Sequence, residues 1–268
     1  MKALLGDHPV TRHFKAHSPL QFAEVKPLHT AFKRVVRDLE FDVAELALVT
    51  FLLAKAHRKP YRLLPAVLTA RFQHATLAYN PERGPLSPDQ LEGKKVGMRS
   101  YSVTTATWVR GILAEDHGVD LGQVNWVTLE DPHVAEFRDP PSATRMLPGK
   151  DLTAMLLAGE IDAAILAEPP KAGPLQTLIA DPAAAAAAWQ ARHGAIQINH
   201  MVTVKDTVSE SQAREIFGLL KESRDAAGGV EVHPFGFEEN RRNLEVAIDC
   251  VYGQGMIPRR LTVDELFR

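Results

Sequence analysis

The sequence contains a single cysteine, Cys250, in 268 residues. An internal disulfide is therefore excluded, and nothing marks an oxidising compartment. The apolar surroundings of Cys250 in "LEVAIDCVYGQG" predict a buried structural thiol. No long apolar run is present: "VAELALVTFLLA" is about a dozen residues and contains Glu45, whereas a membrane span needs about 20. The apolar stretch of "MKALLGDHPV" stops after Leu5, short of the roughly 7–15 residues of a secretory signal. The expectation is a soluble chain that stays in the cytoplasm, with no membrane partner. Charge of one sign is also lacking, since the net charge is −2. No basic stripe points to nucleic acid. GxGxxG, Walker A and GxSxG motifs are absent, which leaves nucleotide binding and serine hydrolysis without support. Among 11 histidines, His8, His13 and His17 cluster near the N-terminus. No HExxH or Cys–His spacing accompanies them, and no metal is expected. No internal repeat is found.

What is present is an ordinary globular composition, 45% apolar and 24% charged, in a chain long enough for two lobes. "KALLGD", "LQFAEV", "FDVAEL", "YRLLPAVLTA" and "QHATLAYN" read as strands. "LHTAFKRVVRDLE" and "ALVTFLLAKAH" between them read as helices. "PERGPLSPDQLEG" looks like a connector, after which "KKVGMRS" and "VNWVTL" start a second alternation. "DPHVAEFRDPPSATRMLPG" is loop-rich. "DLTAMLLAGEIDAAIL" is a helix, a glycine turn and a strand. Asp181 and Pro182 open a helix, "AIQINHMVTV" is a strand, and "SESQAREIFGLLKESRDA" is a capped amphipathic helix. A long helix over "ENRRNLEVAIDCVYGQGMI" and a short one over "TVDELF" close the chain. Alternation of this kind implies α/β lobes with mostly parallel sheets, which bind ligands at the carboxyl ends of their strands. The boundaries expected are 1–77 with 204–268 for one lobe and 78–203 for the other, with a cleft between.

"GKKVGMRSYSVTTATWVRGIL" is a strand, a polar loop and a helix. Ser102, Thr104 and Thr105 are candidates to cap that helix, whose free N–H groups and macrodipole favour an anion. Ordinary capping is the plain alternative. Arg110 reads as a structural ion-pair residue.

The order "LSPDQLEGKKVGM … VNWVTL … LLAGEIDAAIL" resembles the type II periplasmic-binding-protein fold. "GDHPVTR", "EFDVAELAL", "RFQHATLAYN", "YSVTTATWVRGILAEDHGV", "FGFEENRRNLE" and "GQGMIPRRLTVDELF" together resemble the 4,5-dihydroxyphthalate decarboxylase family, nearly end to end. The resemblance implies loss of one carboxylate from an aromatic ortho-dicarboxylate, giving protocatechuate, with no organic cofactor. Such chemistry needs groups that hold the spectator carboxylate, take a phenol proton and deliver a proton to carbon.

On that reading His74, Glu45 and His200 are the candidates for proton transfer. His74 is otherwise a half-buried hinge histidine. Glu45 is a general base, or else a group that binds a hydroxyl or a backbone amide. Asp7, Arg12, Arg99, Tyr101, Ser102, Thr104, Thr105 and Glu168 are the candidate substrate-binding residues. Arg12 suits a two-pronged carboxylate contact, and a plain surface arginine fits equally. The partner expected is a small aromatic dicarboxylate or another small anion, with a homodimer as the default assembly. The rival reading is a solute-binding protein that delivers a small oxyanion or dicarboxylate to an ABC transporter.

Overall fold

A computed structural model describes residues 1–146, 149–228 and 233–268. In chain order its elements begin with β1 (Lys2–Leu4), α1 (Pro9–His17), β2 (Gln21–Phe22), α2 (Phe32–Val36) and β3 (Val43–Ala47). Next come α3 (Leu48–Ala56), β4 (Tyr61–Ala70), β5 (Leu77–Tyr79), β6 (Lys95–Met98) and α4 (Thr104–His117). They are followed by β7 (Asn125–Thr128), β8 (Ala143–Arg145), α5 (Leu152–Ala158), β9 (Ala163–Ile165) and β10 (Gln176–Thr177). The last are α6 (Pro182–His193), β11 (Ile198–Lys205), α7 (Glu210–Ala226), α8 (Phe237–Gly253) and α9 (Val263–Leu266). Two compact units result: Met1–Arg71 with His133–Glu136 and Ile198–Arg268, and Phe72–Pro132 with Phe137–Gln197. The chain thus passes between units after Arg71, Pro132, Glu136 and Gln197; the boundaries read from the sequence are 77 and 203.

The first unit holds a five-stranded sheet in the order β2-β1-β3-β11-β4. β1 runs parallel to β2 and β3, and β11 runs antiparallel to both β3 and β4. β3 is the middle strand and is buried along its whole length, as its sequence VAELA suggests for every position but Glu45. Leu5, Phe14, Val43, Leu64, Val202, Val204, Ile216 and Leu220 form a core against this sheet. Each fully buried large side chain contributes about 1.5–3 kcal/mol. α1 and α7 are tied by Phe14 N–H, which donates to the buried Ser223 hydroxyl at 2.9 Å. α7 starts with the expected capping box, Ser209 with Gln212.

The second unit holds six strands in the order β10-β5-β9-β6-β7-β8. β9, β6, β7 and β8 are parallel, while β5 joins β9 and β10 joins β5 antiparallel. Asp181 caps α6 through Ala184 N–H at 2.9 Å. Gly159, in the left-handed region at φ 70°, ends α5 and leads into β9.

Three sequence expectations are corrected. The helix expected over 28–40 shrinks to a 3-10 turn, Leu28–Ala31, followed by the short α2, and the chain turns away where Leu39 takes a positive φ of 52°. β2 keeps only two residues, Gln21 and Phe22, of the strand read in "LQFAEV". Cys250 is half-buried on α8, with the Gln254 amide 3.2 Å from its sulfur, because the core-facing positions of that helix are Leu244, Val246, Ala247, Ile248 and Val251. Of the loop-rich stretch 131–149, Leu147 and Pro148 lie outside the described residues; the rest is loop apart from the short β8. Among the described residues no helix is long and apolar enough to cross a membrane.

Candidate functional site

At the carboxyl ends of the parallel strands β1 and β3, a buried charge meets two histidines. Glu45 lies on β3 and is fully buried. The parallel register of β1 and β3 pairs Leu4 with Ala44, which carries the turn after β1 past the Glu45 side chain. Gly6 N–H donates to Glu45 Oε2 at 2.8 Å. His8 Nε2 lies 2.8 Å from Oε2 and 3.0 Å from Oε1. From the other side β11 pairs His200 with Ala47, and His200 Nδ1 lies 2.7 Å from Glu45 Oε1. An isolated buried carboxylate costs several kcal/mol, so three donors converging on it are what keep it ionised. Burial pushes Glu45 upward, but the hydrogen bonds and charges of His200 and His8 outweigh it and hold the carboxyl well below the usual carboxylate range.

The carboxylate also fixes the proton positions. As an acceptor it requires hydrogen on His8 Nε2 and on His200 Nδ1, which leaves His8 Nδ1 and His200 Nε2 for other partners. Burial lowers the His8 pKa, and Glu45 more than restores it, so the net shift is upward. The buried Phe32 ring meets His200 edge to face at 5.4 Å and sets its plane. Gly6 is needed where it stands: a Cβ there would lie 2.5 Å from His8 Nε2 and 2.9 Å from Glu45 Oε2.

His8, Glu45 and His200 line one cavity of about 250 Å³ with Leu5, Gly6, Asp7, Lys15, Glu24, Val25, Lys26, Leu28 and Thr69. That is below the about 300–1,000 Å³ of sites for drug-sized ligands and suits a single small ring. Of the expected site residues, Glu45, His200 and Asp7 come together here. Glu45 accepts from a backbone amide, one of the roles left open for it, and meets the two histidines. Arg12 is exposed and pairs with Asp7 at 3.0 Å. His8 was legible only as part of an N-terminal histidine cluster, and that cluster does not form: His13 and His17 stack on each other at 4.0 Å while His8 turns to Glu45. Its place in "GDHPVTR", next to Asp7 and directly after the first strand, was the available signal. Lys15, Lys26 and Thr69 gave none. Among the described residues no cluster of three or more His, Cys, Asp or Glu side chains could hold a metal ion.

The remaining candidates lie in the second unit. The loop between β6 and α4 leaves Arg99 Nη1, Ser100 Oγ and, at the end of β7, Thr128 Oγ1 buried without a hydrogen-bond partner among the described residues. Register pairing of Met98 with Thr128 brings these groups together at the carboxyl ends of β6 and β7. Arg99 Nη1 is 3.8 Å from Glu130, and burial, only partly offset by Glu130, lowers the guanidinium's pKa. The hydroxyl caps expected from Ser102, Thr104 and Thr105 are replaced by Val103, which takes the N-cap position and has no side-chain oxygen. Ser102 and Thr104 are buried and Thr105 is half-buried. Tyr101 is buried too, its ring 3.7 Å from the Arg110 guanidinium and edge-on to Trp126. Arg110 donates to the Tyr101 carbonyl at 2.8 Å, so this buried cation braces the loop from behind. Glu168 is exposed, three residues past β9.

His74 sits in a 3-10 turn beside Phe72, 1% exposed, with neither ring nitrogen hydrogen-bonded among the described residues. Burial pushes its pKa down to about 4. So placed, it is a neutral imidazole at pH 7. The unfolded chain takes up this proton near pH 6.5 and the folded chain does not until about 4, so stability falls as pH drops through that window. Between pH 7 and 4.5, urea unfolding of the wild type is expected to lose about 2–3 kcal/mol more than that of His74→Leu. Parallel curves would show that His74 is not held neutral.

No protein-family model matches the chain. A 4,5-dihydroxyphthalate decarboxylase from Comamonas testosteroni is 30% identical over 279 aligned positions, covering 88% of this chain and 84% of the relative. A second 4,5-dihydroxyphthalate decarboxylase, from Pseudomonas putida, is 29% identical over 177 positions, 59% of this chain and 66% of that one. Among solved structures, the alkanesulfonate-binding protein of Xanthomonas axonopodis pv. citri superposes with a TM-score of 0.57 at 14% identity, over 99% of this chain and 96% of that one. The periplasmic aliphatic sulphonate binding protein of Escherichia coli gives 0.59 at 11% identity, over 100% and 90%. The fold is therefore that of periplasmic binding proteins.

Proposed function

Because the chain belongs to the 4,5-dihydroxyphthalate decarboxylase family, we propose that it is a carboxy-lyase that converts 4,5-dihydroxyphthalate, or a close analogue, to 3,4-dihydroxybenzoate (protocatechuate) and carbon dioxide. The observation that carries the proposal is a buried carboxylate that holds two histidines against the wall of a ring-sized cavity. Each hydroxyl of this substrate is para to a carboxylate. Direct loss of carbon dioxide would leave an aryl carbanion. A lower route moves protons first.

In that route His200 Nε2 takes the phenol proton while His8, the imidazolium of the pair, delivers a proton to the para ring carbon that bears the carboxylate. The ring becomes a dienone. The carbon–carboxylate bond then breaks, its electrons return to the ring, carbon dioxide leaves, and the resulting phenolate recovers its proton from His200. One proton is consumed overall. Glu45 touches no reacting atom; it fixes both tautomers and stabilises whichever histidine is charged, as the carboxylate does in a hydrolase triad. The ring is its own electron sink, so the route calls on no cofactor.

Arg99, Ser102, Thr104 and Thr105 lie in the second unit and are given no part in this route, whose groups line the cavity beside Glu45. Cytoplasmic residence goes with the enzyme reading, since such an enzyme has no transporter to feed. The reaction is tested by turnover of 4,5-dihydroxyphthalate in D2O followed by NMR. One deuteron at the carbon that lost its carboxylate is expected. Product without deuterium there would rule out protonation by an exchangeable histidine.

A further inference from the structure

The cavity contains two cations that the proton transfers do not use. Lys15 stands in the last turn of α1, and Lys26 follows β2; both line the cavity that holds His8 and His200. Among the described residues neither ammonium has a carboxylate within ion-pairing distance. Lys15 rests 5.9 Å from the Phe22 ring. The acids that face them are Asp7, Glu24 and Glu45. Glu45 is answered by its histidines and Asp7 by Arg12. Two ammoniums then remain against one exposed carboxylate, Glu24, in a space sized for one ring.

We infer that Lys15 and Lys26 each bind one carboxylate of a dianionic ring, and so restrict the site to aromatic ortho-diacids. This rests on the decarboxylase reading and names the groups that select its substrate. Two consequences follow from the charge. A diacid fills both ammoniums, while a mono-acid leaves one unanswered. Loss of carbon dioxide turns the dianion into a mono-anion, so the product is held by one lysine and leaves more readily than the substrate. Both side chains reach the cavity from the surface, so their truncation leaves the core intact.

The test uses phthalate, which has both carboxylates but no hydroxyl to deprotonate, and benzoate, which has one carboxylate. Calorimetry with the wild type is expected to give tighter binding of phthalate than of benzoate. Lys15→Met and Lys26→Met are each expected to weaken phthalate about tenfold, the worth of one charge-assisted contact. The double variant should no longer distinguish the two acids. With 4,5-dihydroxyphthalate the loss should fall on KM far more than on kcat. A double variant that still prefers phthalate, or a wild type with no preference, overturns the inference. Failure of the decarboxylase reading looks different: phthalate binds and the lysine variants weaken it, yet 4,5-dihydroxyphthalate yields no product.

Discussion

Glu45→Gln is expected to lower turnover about a thousandfold or more while phthalate binding changes only severalfold. The carboxylate accepts from three donors, Gly6 N–H, His8 Nε2 and His200 Nδ1. A glutamine amide presents an NH2 to at least one of them. That histidine must then rotate or change tautomer, which removes either the base or the acid. The amide is also neutral and cannot stabilise the imidazolium. Single-turnover kinetics with parallel phthalate titration would separate this from a folding defect, and unchanged turnover would remove the triad from the mechanism. Stability should change with a recognisable pH signature. The Glu45 pKa is depressed in the folded protein, so its contribution is present above the ordinary carboxylate range near 4.5 and is lost as pH falls below it. The glutamine variant should lack that part of the acid response.

His200→Ala is expected to cost about 10²–10⁴-fold in kcat, the usual worth of a positioned general base. The phenol then has to ionise unaided. Free imidazole should recover part of the rate, since the vacated space opens on the cavity. His8→Ala should instead impair delivery of the proton to carbon. Its upward-shifted pKa makes the His8–Glu45 pair stabilising below about pH 6.5, a contribution that fades as pH rises through the folded value. If His200→Ala keeps most of its rate, the assignment of the base is wrong.

The fold was legible because its periodicities are local. VAELA reads as a buried central strand, and Asp181 with Pro182 announces a helix start. Glu45 stood out as the one charge in an apolar strand, and His200 as a polar residue on another. What joins them was not legible. The pairing of His200 with Ala47 across antiparallel strands spans more than 150 positions of sequence, and no local pattern encodes it. His8 lay in a quoted motif, yet its role depends on Gly6 lacking a side chain, which only the packing against Glu45 makes visible. Lys15 and Lys26 look like ordinary surface charges until the cavity is outlined. At His74 the motif near the crossing point suggested chemistry, and what only the structure shows is its burial with neither ring nitrogen hydrogen-bonded among the described residues. Hydroxyl capping of α4 failed for a smaller reason: the helix begins one residue later than Ser102 would need to be its cap.

The most direct measurement is to mix the purified protein with 4,5-dihydroxyphthalate and quantify 3,4-dihydroxybenzoate and carbon dioxide together, beside a thermal-shift titration with the same compound. The account predicts both products in equal amounts and many turnovers per protein. A clear thermal shift with neither product would contradict it and would identify a protein that holds the diacid without changing it.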